Sequence, residues 1–176
     1  IRETLARVAQ FMPFIDSAVI CTPDIYTDAF NLGNDNIPVE VIGENEILSQ
    51  HEVKEISELD HQSRNYLLRT KLIACDAVSD CFLMSDDDAR PLFPVESTNF
   101  VNEGKHQAYY FYDLQKWDNH NTEFDACQHA TFAVLSSIGF PVRSYASHMP
   151  QIIDKDIYLE AAKKFQKFSK ILYHFR

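Results

Sequence analysis

Read for hydrophobic and polar positions, the chain alternates helix-like and strand-like stretches. Leu5, Val8 and Phe11 recur at helical spacing over residues 1–11, and Pro13 soon follows to stop that helix. Ser17-Ala18-Val19-Ile20-Cys21-Thr22 is an unbroken, mostly apolar run closed by Pro23-Asp24, which reads as a buried strand. A short helix is expected over residues 25–30 and loop chemistry over 31–36. Residues 38–42 alternate and are β-branched, predicting a second strand, and the polar stretch 44–58 predicts mixed loop and helix. Residues 65–77 put Leu67, Leu68, Leu72 and Ile73 on one helical face, with Arg64, Arg69 and Lys71 on the polar one. A strand over Cys81–Met84 follows.

The second half changes character. An aromatic strand is expected at 108–112, a Trp-containing loop at 115–125, and a helix at 127–138 ended by Gly139-Phe140-Pro141. A short strand over 142–146, a turn over 147–150 and an amphipathic, lysine-rich helix over 158–175 complete the reading. Helices alternating with strands predict an α/β fold, with a mostly parallel central sheet flanked by helices. Its 176 residues fit a single domain. In such sheets ligands bind beyond the carboxyl ends of the strands.

One strand end is unusual. Cys81-Phe82-Leu83-Met84 runs through Ser85 into Asp86-Asp87-Asp88. Adjacent carboxylates repel one another and call for a compensating cation. Their hard oxygens suit Mg²⁺ or Mn²⁺, which can in turn hold a diphosphate. The alternative is a solvated acidic turn.

Composition narrows the classes. The net charge of −10 leaves no basic excess to neutralise phosphates, so broad nucleic-acid binding is not expected. Only 4 glycines occur, in neither a GxGxxG nor a GxxxxGK[ST] pattern, so Rossmann- or P-loop-type nucleotide binding is unsupported. Cys21, Cys75, Cys81 and Cys127 form no CxxC pair, which argues against a zinc site of that spacing and fits a reducing, cytoplasmic compartment. No apolar stretch reaches the length of a membrane span, and no signal peptide is visible.

Further candidates surround the acidic triplet. A neutral imidazole beside two carboxylates would complete a Mn²⁺ site, and His148, just before Met149-Pro150, is the best placed histidine. Glu123 or Asp125 is a candidate general base on an acceptor hydroxyl, with His129 another; Asp125 would otherwise cap a helix. Arg64, Arg69 and Arg90 are candidates for phosphate contact, against a solvated helix face for the first two and carboxylate pairing for Arg90. Tyr109, Tyr110, Tyr112 and Trp117 could stack on sugars or bases, or belong to the core. Lys163, Lys164, Lys167 and Lys170 form a basic face that is either solvated or in contact with an anionic membrane surface.

Phe82-Leu83-Met84-Ser85-Asp86-Asp87-Asp88 resembles the DxD motif of GT-A-fold glycosyltransferases, and His148 in Ser-His-Met-Pro resembles their late metal-site histidine. The resemblance implies a nucleotide-sugar donor bound through Mn²⁺ or Mg²⁺ on Asp86, Asp88 and His148. Asp87 would orient the donor, and Glu123 or Asp125 would face a glycan or glycoconjugate acceptor. Residues 3–24 are similar to the first helix and second strand of that fold; the first strand it implies is not in the sequence. Residues 80–92, then Asn99-Phe100 and His148-Met149-Pro150, are also similar to the Stealth family of capsule sugar-phosphate transferases, which implies transfer of a sugar-1-phosphate instead. A third reading is a non-enzymatic α/β binding module.

Overall fold

Ten residues, Arg2–Phe11, form α1, which turns Leu5 into the interior and ends where the Met12 N–H reaches the Val8 carbonyl. A computed structural model of the chain describes residues 1–30, 37–109, 118–141 and 149–164, with the side chain of Glu123 left out. β1 (Ala18–Thr22) follows, then a 3₁₀ segment over Asp24–Phe30. β2 (Val39–Gly43) pairs parallel with β1, Ala18 against Val39 through Thr22 against Gly43. A Cβ at Gly43 would stand 2.4 Å from Asp24 Oδ1, so a larger residue there would displace that carboxylate.

Two short helices, α2 (Glu44–Ile47) and α3 (Gln50–Glu55), make up the polar stretch. Ser49 caps α3 by a reciprocal box with Glu52. A 3₁₀ turn over Ile56–Glu58 leads to α4 (His61–Ala74). α4 starts earlier than the hydrophobic pattern predicts. Asp60 accepts from the Ser63 N–H at 2.8 Å and from its hydroxyl at 2.8 Å, so a polar cap sets the boundary. Those bonds hold the Asp60 carboxyl below its usual range. On α4, Ile73 is 2% exposed, while Lys71 reaches Glu52 on α3 at 2.6 Å.

β3 (Cys81–Met84) comes next. A two-residue hairpin, β4 (Val101–Asn102) and β5 (Lys105–His106), turns through Glu103 and Gly104 at φ 51° and 71°. α5 (Glu123–Ser137) is capped by Thr122 and starts before the predicted 127. β6 (Gln151–Asp154) runs antiparallel to β3, and α6 (Lys155–Lys164) follows directly. The strand expected at 142–146 and most of the aromatic run 108–112 lie outside the described residues, as do Lys167 and Lys170; described Ala108 and Tyr109 are not in a strand.

The fold is mixed α/β, but among the described residues no single central parallel sheet forms. Among the described residues there are three two-stranded sheets, β1–β2, β3–β6 and β4–β5. β1 and β3 do not pair with each other. Both instead wall a cleft of about 750 Å³, together with α1 and α4. Burial reflects this: the apolar side chains of β1 and β3 are half-buried, except exposed Cys81, and no described side chain is under 2% exposed.

Lys155 ties the far end of the chain to α4. Its ammonium donates to the carbonyls of Cys75 at 2.7 Å and Val78 at 2.6 Å, just past the α4 C-terminus. The two carbonyls belong to the turn that follows the helix, where the helix dipole also favours a positive charge. Its own backbone N–H adds a bond to the Asp80 carbonyl at 2.9 Å.

Candidate functional site

At the carboxyl end of β3 the backbone folds over at once. The Asp86 carbonyl accepts from the Ala89 N–H at 3.3 Å and from the Ser85 hydroxyl at 3.0 Å, making the acidic triplet a tight turn. Asp86 and Asp87 line the rim of the cleft; Asp87 and Asp88 are exposed. α1 abuts this turn, with the Thr4 hydroxyl donating to the Asp87 carbonyl at 3.0 Å.

The expected compensating cation is an arginine. The Arg69 guanidinium, reaching from α4, pairs with the Asp86 carboxylate, and both residues line the cleft. Arg90, two residues past the triplet, turns the other way and pairs with Glu3 of α1 at 2.8 Å. Arg64 stands elsewhere: it meets both oxygens of the mostly buried Glu44 at 2.6 Å, joining α4 to α2. Each of the three arginines singled out for phosphate thus faces a carboxylate. Among the described residues no three His, Cys, Asp or Glu side chains cluster as a metal site would need.

His148 lies outside the described residues, but the chain that follows it does not. Gln151 of β6 pairs with Met84, the last residue of β3, so Met149 and Pro150 arrive at the Asp86 end of the strand. Pro150 lines the cleft with Asp86 and Asp87. This antiparallel return brings together segments more than sixty residues apart, and sequence reasoning had no periodic signal for it because β6 is only four residues long.

The acceptor-side candidates sit apart from the triplet in sequence and are held by their own helix. Asp125, 4% exposed, accepts from the N–H groups of Asn121 and Thr122 at 2.8 Å each, closing the capping box of α5. His129 stacks on His120 with ring centroids 4.1 Å apart, and its Nε2 lies 2.7 Å from the Asn119 carbonyl. Tyr109 donates its hydroxyl to the Asn99 carbonyl. Of the other aromatics, Tyr110, Tyr112 and Trp117 lie outside the described residues.

Sequence reasoning passed over Cys21 as a core residue. Cys21 is among the residues that line the cleft, and burial, with the Glu44 carboxylate next in weight, pushes its thiol up to about 11. It therefore stays protonated and weakly nucleophilic at neutral pH. No disulfide joins the four cysteines. No helix of the described residues is long and apolar enough to cross a membrane. No protein-family model matches the chain, and no curated protein matches it either.

Proposed function

We propose that the chain is a metal-dependent glycosyltransferase that takes a sugar from a nucleotide-diphosphate donor and passes it to a glycan or glycoconjugate acceptor. One juxtaposition supports this reading most. The acidic turn after β3, the Arg69 guanidinium and the Met149–Pro150 segment converge on one rim of a cleft of about 750 Å³. A donor diphosphate needs a cation, a basic side chain and an enclosed volume beside them, and this rim carries groups suited to each.

Hard carboxylate oxygens on Asp86 and Asp88 fit Mg²⁺ or Mn²⁺ by donor chemistry, with His148 as the third ligand in this reading. The ion would supply charge neutralisation to the leaving diphosphate. Arg69 already balances Asp86, so an entering ion competes with the guanidinium for that carboxylate, and the guanidinium becomes available to a phosphate. Asp87, exposed on the rim, would orient the donor sugar or its ribose. Arg90 and Arg64 would assist the phosphates only by leaving Glu3 and Glu44. Glu123 or Asp125 would face the acceptor, Asp125 while also holding its helix start.

Mn²⁺ titration in the presence of UDP or GDP tests the reading. Metal-dependent nucleotide binding that disappears in the Asp86→Ala/Asp88→Ala double variant is the expected result. Release of a nucleoside diphosphate identifies glycosyl transfer, whereas a monophosphate would move the assignment to sugar-phosphate transfer. Equal nucleotide binding with and without metal, unchanged in the double variant, would leave a binding module.

A further inference from the structure

Two neighbouring hydrocarbon side chains stand in water with little cover from the fold. Leu92 and Phe93 are each 69% exposed. Single apolar residues scattered over a surface are ordinary. These two are consecutive, and among the described residues no other consecutive pair of pure hydrocarbon side chains is so exposed.

The backbone that carries them is fixed. They stand between Pro91 and Pro94, whose rings lock φ. Before them Arg90 pairs with Glu3 at 2.8 Å; after them the Val95 N–H donates to the Phe11 carbonyl at 2.8 Å. Residues 90–95 are therefore strapped along α1 from its first turn to its last. Glu3 and buried Leu5 lie on opposite sides of that helix, so the Arg90 anchor is on its outer side. A pair presented on an already ordered strap loses little backbone freedom when something covers it.

Size and charge select what covers it. At this exposure the two side chains present roughly 250 Å², whereas a stable protein interface takes about 800 Å² from each partner. A bilayer needs no complementary surface, and each fully inserted Leu or Phe favours it about 10- to 150-fold. Charge decides the kind of bilayer. Arg90 and Glu3 neutralise each other, and Arg2 and Arg7 are offset by exposed Asp87, Asp88 and Glu96. The surround thus has no basic excess to draw anionic headgroups.

We propose that Leu92 and Phe93 form a wedge that inserts into the surface of a zwitterionic bilayer, and that the lysines of α6 take no part. Binding is reversible, because two side chains bring less apolar surface than one fatty-acyl chain, which itself anchors only marginally. Asp88 is two residues before Arg90, so the acidic turn is carried close to the lipid surface. This inference is independent of the glycosyl-transfer reading.

Co-sedimentation of the 176-residue chain with phosphatidylcholine vesicles, alone and with one-third phosphatidylglycerol, tests it. The expected result is binding to phosphatidylcholine that persists at high salt. It falls at least 30-fold in Leu92→Ser/Phe93→Ser and is unchanged in Lys163→Gln/Lys164→Gln. The serine substitutions fall on exposed side chains, so Tm should hold. Phe93→Trp gives a second readout: relative to the parent chain it adds an emission that shifts to the blue on vesicles and is quenched by brominated lipid. No vesicle binding, equal binding by the serine variant, or binding confined to anionic vesicles and released by salt overturns the proposal. So does a dimer of the parent chain that the serine variant abolishes, because the pair would then cover a second copy.

Discussion

The flank of the molecule and its centre are built to opposite standards. Around α2, α3 and α4 nearly every polar group named has its partner: Glu44 with Arg64, Glu52 with Lys71, Asp60 with Ser63, and Lys155 with two carbonyls. Ile73 is 2% exposed there. Between β1 and β3, by contrast, the most apolar strands of the chain stand half-buried beside a hollow. The comparison teaches that short-range polar chemistry can finish a region on its own, whereas central strands depend on neighbours brought by topology.

The sharpest way to break this contrast is to truncate one apolar side chain in each region. Ile73→Ala removes a nearly fully buried side chain and is expected to cost about 2–5 kcal/mol in denaturant unfolding. Leu83→Ala, beside the hollow, should cost about 1 kcal/mol, since its side chain forfeits little packing. Equal losses would mean that the centre is as well packed as the flank. Next in size, Lys155→Met removes two charge-assisted bonds and should cost about 1.5–3 kcal/mol by the same measurement. Lys164→Met, whose partner is the exposed Glu160, should leave stability nearly unchanged.

Asp60→Ala is expected to cost about 1 kcal/mol through loss of the α4 cap, while Asp60→Asn should retain most of it. The smallest effect is a pH dependence. Lys71 above all, with the Ser49 N–H and hydroxyl, lowers the Glu52 carboxyl from 4.5 to about 2. The folded chain therefore holds Glu52 ionised more readily than the unfolded chain does. Its contribution is complete above pH 4.5 and is lost as pH falls toward 2. Because both side chains reach water, about 1 kcal/mol is expected, and Glu52→Gln should flatten that part of the acid unfolding curve.

Local signals were legible where local physics decides. The strands at 18–22, 39–43 and 81–84 each announce themselves by apolar or β-branched runs between turn residues, and the structure places them there. Helix starts were misjudged for one reason: Asp60 and Thr122 are polar caps lying outside the hydrophobic pattern, so α4 and α5 both begin before it. The β4–β5 hairpin and β6 were missed because two or four residues are too few to show a period. At the candidate site, the acidic triplet was legible from its strand, and Arg69 from its charge. The pairing of Arg69 with Asp86, and of Arg90 with Glu3, depends on how α4 and α1 cross that strand, which no spacing encodes.

Lys155 has a consequence for how the chain finds its register. β3 and β6 are four-residue strands with 66 residues, 85–150, between them, too short for side-chain alternation alone to fix their alignment. The ammonium at the end of β6 works as a latch. If β6 slid along β3 by two residues, the backbone faces would still match, but the latch would leave the carbonyls of Cys75 and Val78 without it. A single methylene-tethered charge thereby selects which residues of the closing segment stand opposite Met84, and hence what reaches the acidic rim.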